Sequence, residues 1–311
     1  MTVLTTPLSA ASPVPLRGIG VDVCLCTFRR PQVVETLASI AAQRVPPGLR
    51  LRVIVADNDD TPSAKDRVQA AAVEHGLTLA YLHAPARNIS VARNACLAVA
   101  RADWLAFIDD DEVAAPDWLA ELLACATAEG ADAVFGPAVA IYPPDAPRWI
   151  SGNDFLSNHP VRRDGRVETG HSCNALIRRA ALPPGLTFRP DLGQTGGEDT
   201  EFFFRLGRSG AAMAICPTAL VTEPAAAHRL RWGWLAERRM AEGRHYAGAS
   251  GRGRVALALT GAAKAAACMA VALPLALMPE RAARWALRGM FHAGVTAGAI
   301  APHNRRRAYG V

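Results

Sequence analysis

The run Trp104-Leu105-Ala106-Phe107-Ile108-Asp109-Asp110-Asp111-Glu112 constrains the fold of this chain more than any other stretch. Five apolar residues suit a buried strand, and the acids that follow repel one another unless a cation neutralises them. A strand that ends this way fits an open α/β sheet, where ligands bind beyond the carboxyl ends of strands. The matching cation is a hard divalent ion, Mg²⁺ or Mn²⁺, which takes one or two protein carboxylates together with the phosphates of a substrate. In extended backbone Asp109 and Asp111 point to one side and Asp110 to the other. The helix opened by Pro116-Asp117 needs only one acid as a cap, so capping does not explain the cluster.

The flanking chain repeats the strand-turn-helix pattern. Ile19–Cys26 reads as a strand, followed by the turn Thr27-Phe28-Arg29-Arg30-Pro31 and an amphipathic helix from Val33 to Gln43. Leu51–Ala56 is a second strand ending in Asp57-Asn58-Asp59-Asp60, with a helix running to about His75; Thr78–His83 is a third. The polar stretch Arg87 to Asn94 then opens a helix that reaches Arg101. Such alternation predicts a mostly parallel, doubly wound sheet, in which Asp57 and the acid cluster meet on one edge. Neither GxGxxG nor GxxxxGK[ST] occurs at the first turn, which argues against a dinucleotide site or a P-loop.

Further on, Ala131–Ile141 is expected as one strand and Thr169–Ile177 as another, separated by a long connection, Asp145 to Glu168, with Trp149, Asn153 and His159. Long connections beside a site often serve as lids or acceptor walls. Gly196-Gly197-Glu198-Asp199 precedes a helix expected over Phe202–Arg208, with glycines that let the backbone approach the cleft.

Four segments in this order, VCLCTFRRP, VIVADNDD, ARNISVARNACLAVARADWLAFIDDDEVAAPDWL and TGGEDTEFFFRL, resemble the family 2 glycosyltransferases with a GT-A fold, in particular the bacterial succinoglycan-type exopolysaccharide enzymes. The resemblance runs from about Gly20 to Gly243. It implies a nucleotide-sugar-binding α/β domain that moves a sugar from an activated donor, most often a UDP-sugar, to an acceptor. By that resemblance Asp57 holds the base, Thr27 and its turn line the same pocket, Asp109 touches the ribose, and Asp111, with Asp109, belongs to the metal-binding DxD motif. Asp110 is counted with the nucleotide-sugar site. The segment with Gly170, His171 and Asn174 faces the donor sugar. The Glu198-Asp199 pair carries the general base of an inverting enzyme, Asp199 first and Glu198 as substrate holder or alternate. A positioned carboxylate is what the chemistry requires, because a sugar hydroxyl attacks poorly until its proton is accepted. Arg87 and Arg93 are candidates for charge-assisted contacts to the phosphates.

Three regions follow from composition. Residues 1–17 read as a flexible leader, with no basic segment before an apolar core and so no expected signal peptide; 18–227 form the catalytic domain; 228–311 form a basic, apolar, helical tail. From His228 onward there are 14 Lys+Arg against 3 Asp+Glu, a charge of +11 that leaves −5 for the preceding 227 residues. Apolar runs interleave those basic residues, which favours the cytoplasmic face of a membrane over nucleic acid, and a lipid-linked or other membrane-proximal saccharide as acceptor. Val255–Pro279 is long enough to span a bilayer but contains Lys264 and Pro274, and Arg305-Arg306-Arg307 follows the second apolar run, so an in-plane or re-entrant hairpin is expected. Packing of both tail helices on the body, or formation of a dimer, is the plain alternative. His228-Arg229-Leu230-Arg231-Trp232 has His where processive synthases have Gln in a QxxRW motif, and processivity is not assigned. The seven cysteines read as small core residues in a reducing compartment; Cys24 and Cys26 lack zinc-site spacing. A nucleotidyltransferase and a non-catalytic scaffold are the competing readings. The first lacks its glycine-rich loop at Thr27–Pro31, and the second has no reason to keep self-repelling acids.

Overall fold

A computed structural model describes residues 18–163 and 165–301; the leader and the Arg305–Arg307 run lie outside the described residues. The strands are β1 Gly20–Thr27, β2 Arg50–Asp57, β3 Leu79–His83, β4 Trp104–Asp109, β5 Val113–Ala114, β6 Ala133–Phe135, β7 Ala138–Ile141, β8 Asn174–Arg178, β9 Met213–Ile215 and β10 Val221–Pro224. The helices are α1 Val33–Ala41, α2 Lys65–Glu74, α3 Ile89–Val99, α4 Trp118–Ala128, the short α5 Arg148–Ser151, α6 Glu198–Arg208, α7 Trp232–Ala249, α8 Arg254–Ala272 and α9 Pro279–Ile300.

A seven-stranded sheet has the order β3-β2-β1-β4-β8-β6-β9, and β5-β10-β7 form a small second sheet. All pairs of the large sheet are parallel except those of β8, which runs antiparallel to β4 and β6. The mostly parallel sheet agrees with the alternation read in the sequence; the reversed β8 follows from its entry out of the long connection after β7. Period-two alternation divides the core between the two faces of the sheet. Val21, Val23 and Leu25 of β1 pack with α1, α2 and α4 on one face, whereas Cys24 packs with Ala92 and Cys96 of α3 and Phe202 and Phe203 of α6 on the other.

The single strand expected over Ala131–Ile141 is two strands in different sheets, broken at Gly136-Pro137. Proline cannot donate to a ladder, and a Cβ on Gly136 would lie 2.1 Å from the Ala219 carbonyl and 2.4 Å from Asn174 Nδ2. The Thr169–Ile177 strand is shorter than expected, since β8 begins only at Asn174. By contrast, the helix expected over Phe202–Arg208 starts at Glu198, which brings both acids of the Glu-Asp pair into its first turn.

One polar group at the amino end of β1 ties the sheet to its crossover. Asp22 is buried, pairs with Arg52 Nε and Nη2 at 2.7 and 2.8 Å, and accepts the backbone N–H groups of Arg101 and Ala102 at 2.7 and 2.9 Å. Burial works against the Asp22 carboxylate, but Arg52 and the two amides outweigh it and hold its pKa below the usual value. Its contribution is therefore complete above about pH 3.9, the unfolded value, and is lost as pH falls through the lower folded value. Asp22→Asn is expected to cost about 2–3 kcal/mol at pH 7, with the difference from wild type shrinking below pH 4. Urea unfolding at pH 7 and pH 3 checks this; an equal deficit at both would mean that the interaction is not ionic.

The tail continues the body. α7 packs on α6, α9 packs on α7, and α8 packs on α9. Glycines permit the close α7–α9 crossing: a Cβ on Gly243 would lie 2.1 Å from the Phe291 carbonyl, and one on Gly294 would lie 2.2 Å from that of Met240. Among the described residues only the stretch Arg254–Leu275, α8 and the turn after it, is long and apolar enough to cross a membrane, and little of it is buried.

Candidate active site

The carboxyl end of β4 opens into a cleft of about 1560 Å³ between the sheet edge, the 154–173 connection, the start of α6 and the tail helices α7 and α9. β4 ends at Asp109, and Asp110-Asp111 form the turn that follows. Asp109 and Asp111 both line the cleft. Asp110 turns back into the protein toward Arg30 and Thr27, and its burial pushes its pKa up to about 7 against the opposing Arg30 charge and Thr27 hydroxyl. Asp110 and Thr27, both expected to contact the nucleotide, are thus buried beneath the site and do not line the cleft.

Arg30, in the first β–α turn, neutralises the cluster: its Nη1 lies 3.1 Å from Asp110 Oδ1 and 2.5 Å from Asp111 Oδ2. The sequence reading passed over this cation, although its place in TFRRP at the end of β1 was the available signal. Glu112 was missed likewise. It is buried, accepts the Asp109 N–H at 2.8 Å, and has its pKa raised well above the ordinary value by burial and by the Asp109 charge. Glu223 at the end of β10 also lines the cleft, paired with Arg229 at 3.3 Å.

Arg93 of α3 joins the two acidic motifs. Its guanidinium bonds Glu198 through Nη1, approaches Asp109 Oδ1 with Nη2 at 3.6 Å, and lies over the Phe188 ring with its carbon 5.5 Å from the centroid. Burial disfavours the Arg93 charge, yet Glu198 and Asp109 more than compensate and raise its pKa. Glu198 is itself buried, and burial raises its pKa against the Arg93 charge. Its Oε1 is held by Arg93, its Oε2 has no partner, and the residue lines the cleft beside Asp199.

Asp199 is the acid of the pair that faces the opening. Its Oδ2 lies 3.2 Å from His171 Nδ1, and its Oδ1 accepts the Thr200 N–H at 2.6 Å. Burial opposes its ionisation, but His171 and Arg93 outweigh burial and lower its pKa. The His171 pKa is raised in return: burial lowers it, and the Asp199 hydrogen bond and charge overcome that. Gly196 and Gly197, at φ +88° and +84°, carry the chain into this helix start, and a Cβ on Gly197 would lie 2.5 Å from His245 of α7. Only glycine meets both the backbone and the space requirement.

The remaining expected site residues lie elsewhere. Asp57 is fully buried, with both oxygens engaged by the Asp59 and Ala64 N–H groups and the Tyr81 hydroxyl at 2.7 to 3.1 Å, so it shapes the loop after β2. Asp59 beside it pairs with Arg29, which lowers its pKa to about 2. Arg87 pairs with Asp60 on the surface and does not line the cleft. Asn174 is buried and its side chain is saturated: it donates to the Pro137 and Ala219 carbonyls at 3.0 and 2.7 Å and accepts from Trp118 Nε1 at 2.8 Å. A Cβ on Gly170 would lie 2.1 Å from the Phe135 ring, so this glycine serves packing. Of the expected donor-sugar contacts only His171 faces the cleft. In the long connection, His159 pairs with Asp154 and Asn153 donates to the Glu280 carbonyl, while Phe155 and Asp154 reach the cleft wall.

A seven-stranded, mostly parallel sheet with these acids at one edge matches known proteins on both sequence and fold. The glycosyl transferase family 2 profile covers residues 22–183. The chain is a family 2 glycosyltransferase. It is 43% identical over 295 residues, 92% of this chain and 94% of the relative, to the succinoglycan biosynthesis protein ExoM of Rhizobium meliloti (strain 1021). Solved structures that share its fold include the following two. The mannosyltransferase PcManGT from Pyrobaculum calidifontis, solved with GDP-Man and Mn²⁺, has a TM-score of 0.65 and 20% identity over 93% of this chain and 89% of its own. S. aureus TarS 1-349 with UDP has a TM-score of 0.52 and 16% identity over 90% and 91%. Membership of the glycosyltransferase family sets aside the nucleotidyltransferase and scaffold readings.

Among the described residues no three His, Cys, Asp or Glu side chains converge on one point as a closed metal cage. Two carboxylates, Asp109 at the end of β4 and Asp111 in the turn after it, line the cleft. This fits a divalent ion that takes its other ligands from diphosphate and water.

Proposed function

We propose that this enzyme transfers a sugar, with inversion, from a nucleoside-diphosphate sugar, a UDP-sugar by preference, to a saccharide acceptor carried at the cytoplasmic face of a membrane. The observation that carries the reading is that Asp109 and Asp111 line the same cleft as the Asp199–His171 pair, with Arg93 bridging the two motifs. Asp199 accepts the proton of the acceptor hydroxyl as that oxygen bonds the anomeric carbon, and the bond from this carbon to the β-phosphate oxygen breaks on the opposite face. A divalent cation held by Asp111 and Asp109 would supply positive charge to the departing diphosphate. Arg30, already within bonding distance of Asp111, adds a second cation on that side. Arg93 and Glu198 fix the spacing between donor and base. The name of the 43% identical relative supports a place for this transfer in exopolysaccharide assembly of the succinoglycan type. The exposed, apolar α8 and the basic composition of the tail support attachment to an anionic membrane surface, through α8 and the hairpin tip with α7 and α9 docked on the body.

Calorimetric titration with UDP, GDP and CDP, each with Mn²⁺ and with EDTA, tests the donor and metal assignments. UDP is expected to bind in the presence of Mn²⁺, and EDTA or Asp111→Ala is expected to weaken that binding at least about tenfold, the equivalent of ~1.4 kcal/mol. Folded protein that binds no nucleotide in a metal-dependent way would overturn the reading.

A further inference from the structure

A second cavity lies where the tip of the α8–α9 hairpin meets the body. It measures about 360 Å³, and its walls include Trp149, Trp232, Leu273, Ala276, Pro279 and Ala283. No polar side chain lines it. The Trp149 and Trp232 rings stand 5.8 Å apart at 49° and form its aromatic side, and Trp232 is 41% exposed. At the adjoining hairpin tip Leu273, Leu277 and Met278 are 71%, 97% and 50% exposed. Covering large apolar side chains is favourable, so a groove continuous with this tip suits an apolar occupant.

Its chemistry selects among occupants. An extended peptide would bring backbone N–H and C=O groups that this lining cannot satisfy, and a nucleotide or sugar would bring still more. A hydrocarbon chain asks for nothing polar. The groove also adjoins α8, the helix apolar enough to enter a bilayer, through Ala272 and Leu273. Basic residues lie close to its walls in the chain, Arg148 before Trp149, Arg231 before Trp232 and Arg281 two positions after Pro279, beyond Glu280, with Arg281 Nη1 3.7 Å from Met278 Sδ. These cations suit an anionic phosphate at the head of such a chain. Trp149 also packs against Phe155, ring centroids 6.3 Å apart, and Phe155 lines the catalytic cleft. One aromatic layer separates the groove from the wall of the cleft.

We propose that this groove seats the head-proximal part of the hydrocarbon chain of a polyprenyl phosphate, the carrier of the acceptor saccharide. The assignment rests on the reading that the acceptor is lipid-carried. It makes Trp149 and Trp232 determinants of acceptor binding, one layer behind the cleft.

The test uses the full chain in detergent micelles with a polyprenyl phosphate bearing a photoreactive group in its first isoprene units. Adducts are expected on peptides containing Trp149, Trp232 and 272–286, competed by undecaprenyl phosphate and not by dioleoyl phosphatidylglycerol. Ala276→Trp fills the groove from its exposed rim and is expected to cut adduct yield about tenfold, ~1.4 kcal/mol, with unfolding temperature and UDP binding unchanged. Adducts confined to the outer face of α8, equal competition by phosphatidylglycerol, or a yield unaffected by Ala276→Trp would overturn the assignment. So would a dimer in light scattering that Ala276→Trp dissociates, since the occupant would then be a second copy. Flotation with anionic vesicles separates the two levels. Protein that floats but gives no groove adducts refutes the groove alone, whereas protein that neither floats nor prefers a lipid-linked over a free saccharide refutes the membrane-acceptor reading beneath it.

Discussion

Asp199→Asn is expected to leave nucleotide affinity nearly unchanged and to lower sugar transfer by about 10²–10⁴-fold, the usual contribution of a positioned general base. The amide keeps the volume of the carboxylate and its acceptor oxygen for the Thr200 N–H, so the start of α6 retains its shape. What it cannot do is accept the acceptor's proton. The loss should therefore fall on kcat, with KM for the donor little altered. The His171 contact adds a pH signature. His171 Nδ1 lies 3.2 Å from Asp199 Oδ2, and a protonated imidazole there weakens Asp199 as a base. The raised His171 pKa places that proton's loss above the ordinary histidine value near 6.5. Turnover should rise with pH across that range in the wild type and lose this rise in His171→Gln. Normal turnover by Asp199→Asn would show that the proton goes elsewhere.

Arg93→Met is expected to destabilise the fold by about 3–5 kcal/mol, as breaking a buried ion pair does when one charge is left behind. The stranded charge is Glu198, which is buried and whose Oε2 already has no partner. Asp109 loses its nearest cation in the same change, so nucleotide binding should weaken as well. Because burial raises the Glu198 pKa, the penalty is largest at neutral pH and shrinks as pH falls and Glu198 takes up a proton. Pairing the change with Glu198→Gln should restore much of the lost stability, giving a coupling energy of roughly 2 kcal/mol or more. Denaturant unfolding of the four proteins at pH 5 and pH 7.5 measures this. A cost below about 1 kcal/mol for Arg93→Met alone would mean that the Arg93–Glu198 pair does not hold the motifs together.

Both variants show why residues that share a cleft were unevenly visible. The strand-helix alternation up to β4 was legible because it is local: period two in the strands, helical period in α1 to α4, and acids placed just after apolar runs. The DxD carboxylates and the Glu-Asp pair were visible for the same reason, each lying within one short segment beside a strand or helix end. Arg30 was not, since its partners Asp110 and Asp111 are about 80 residues away; Arg93 was named as a candidate for the phosphates, but its bond to Glu198 across 105 positions was not legible. Asn174 looks like a site residue on its strand. Only packing shows that Trp118, Pro137 and Ala219 have taken its hydrogen bonds.

The sequence by itself determined the sheet with acids at its edge, the family chemistry and the basic tail, because each depends on residue types at short spacing. Tertiary structure alone decided that α7 and α9 form the far wall of the cleft, that Glu198 is held by Arg93 while Asp199 remains facing the opening, and that two tryptophans 83 positions apart enclose an apolar groove. These features depend on which surfaces exclude water together, and no local period records that.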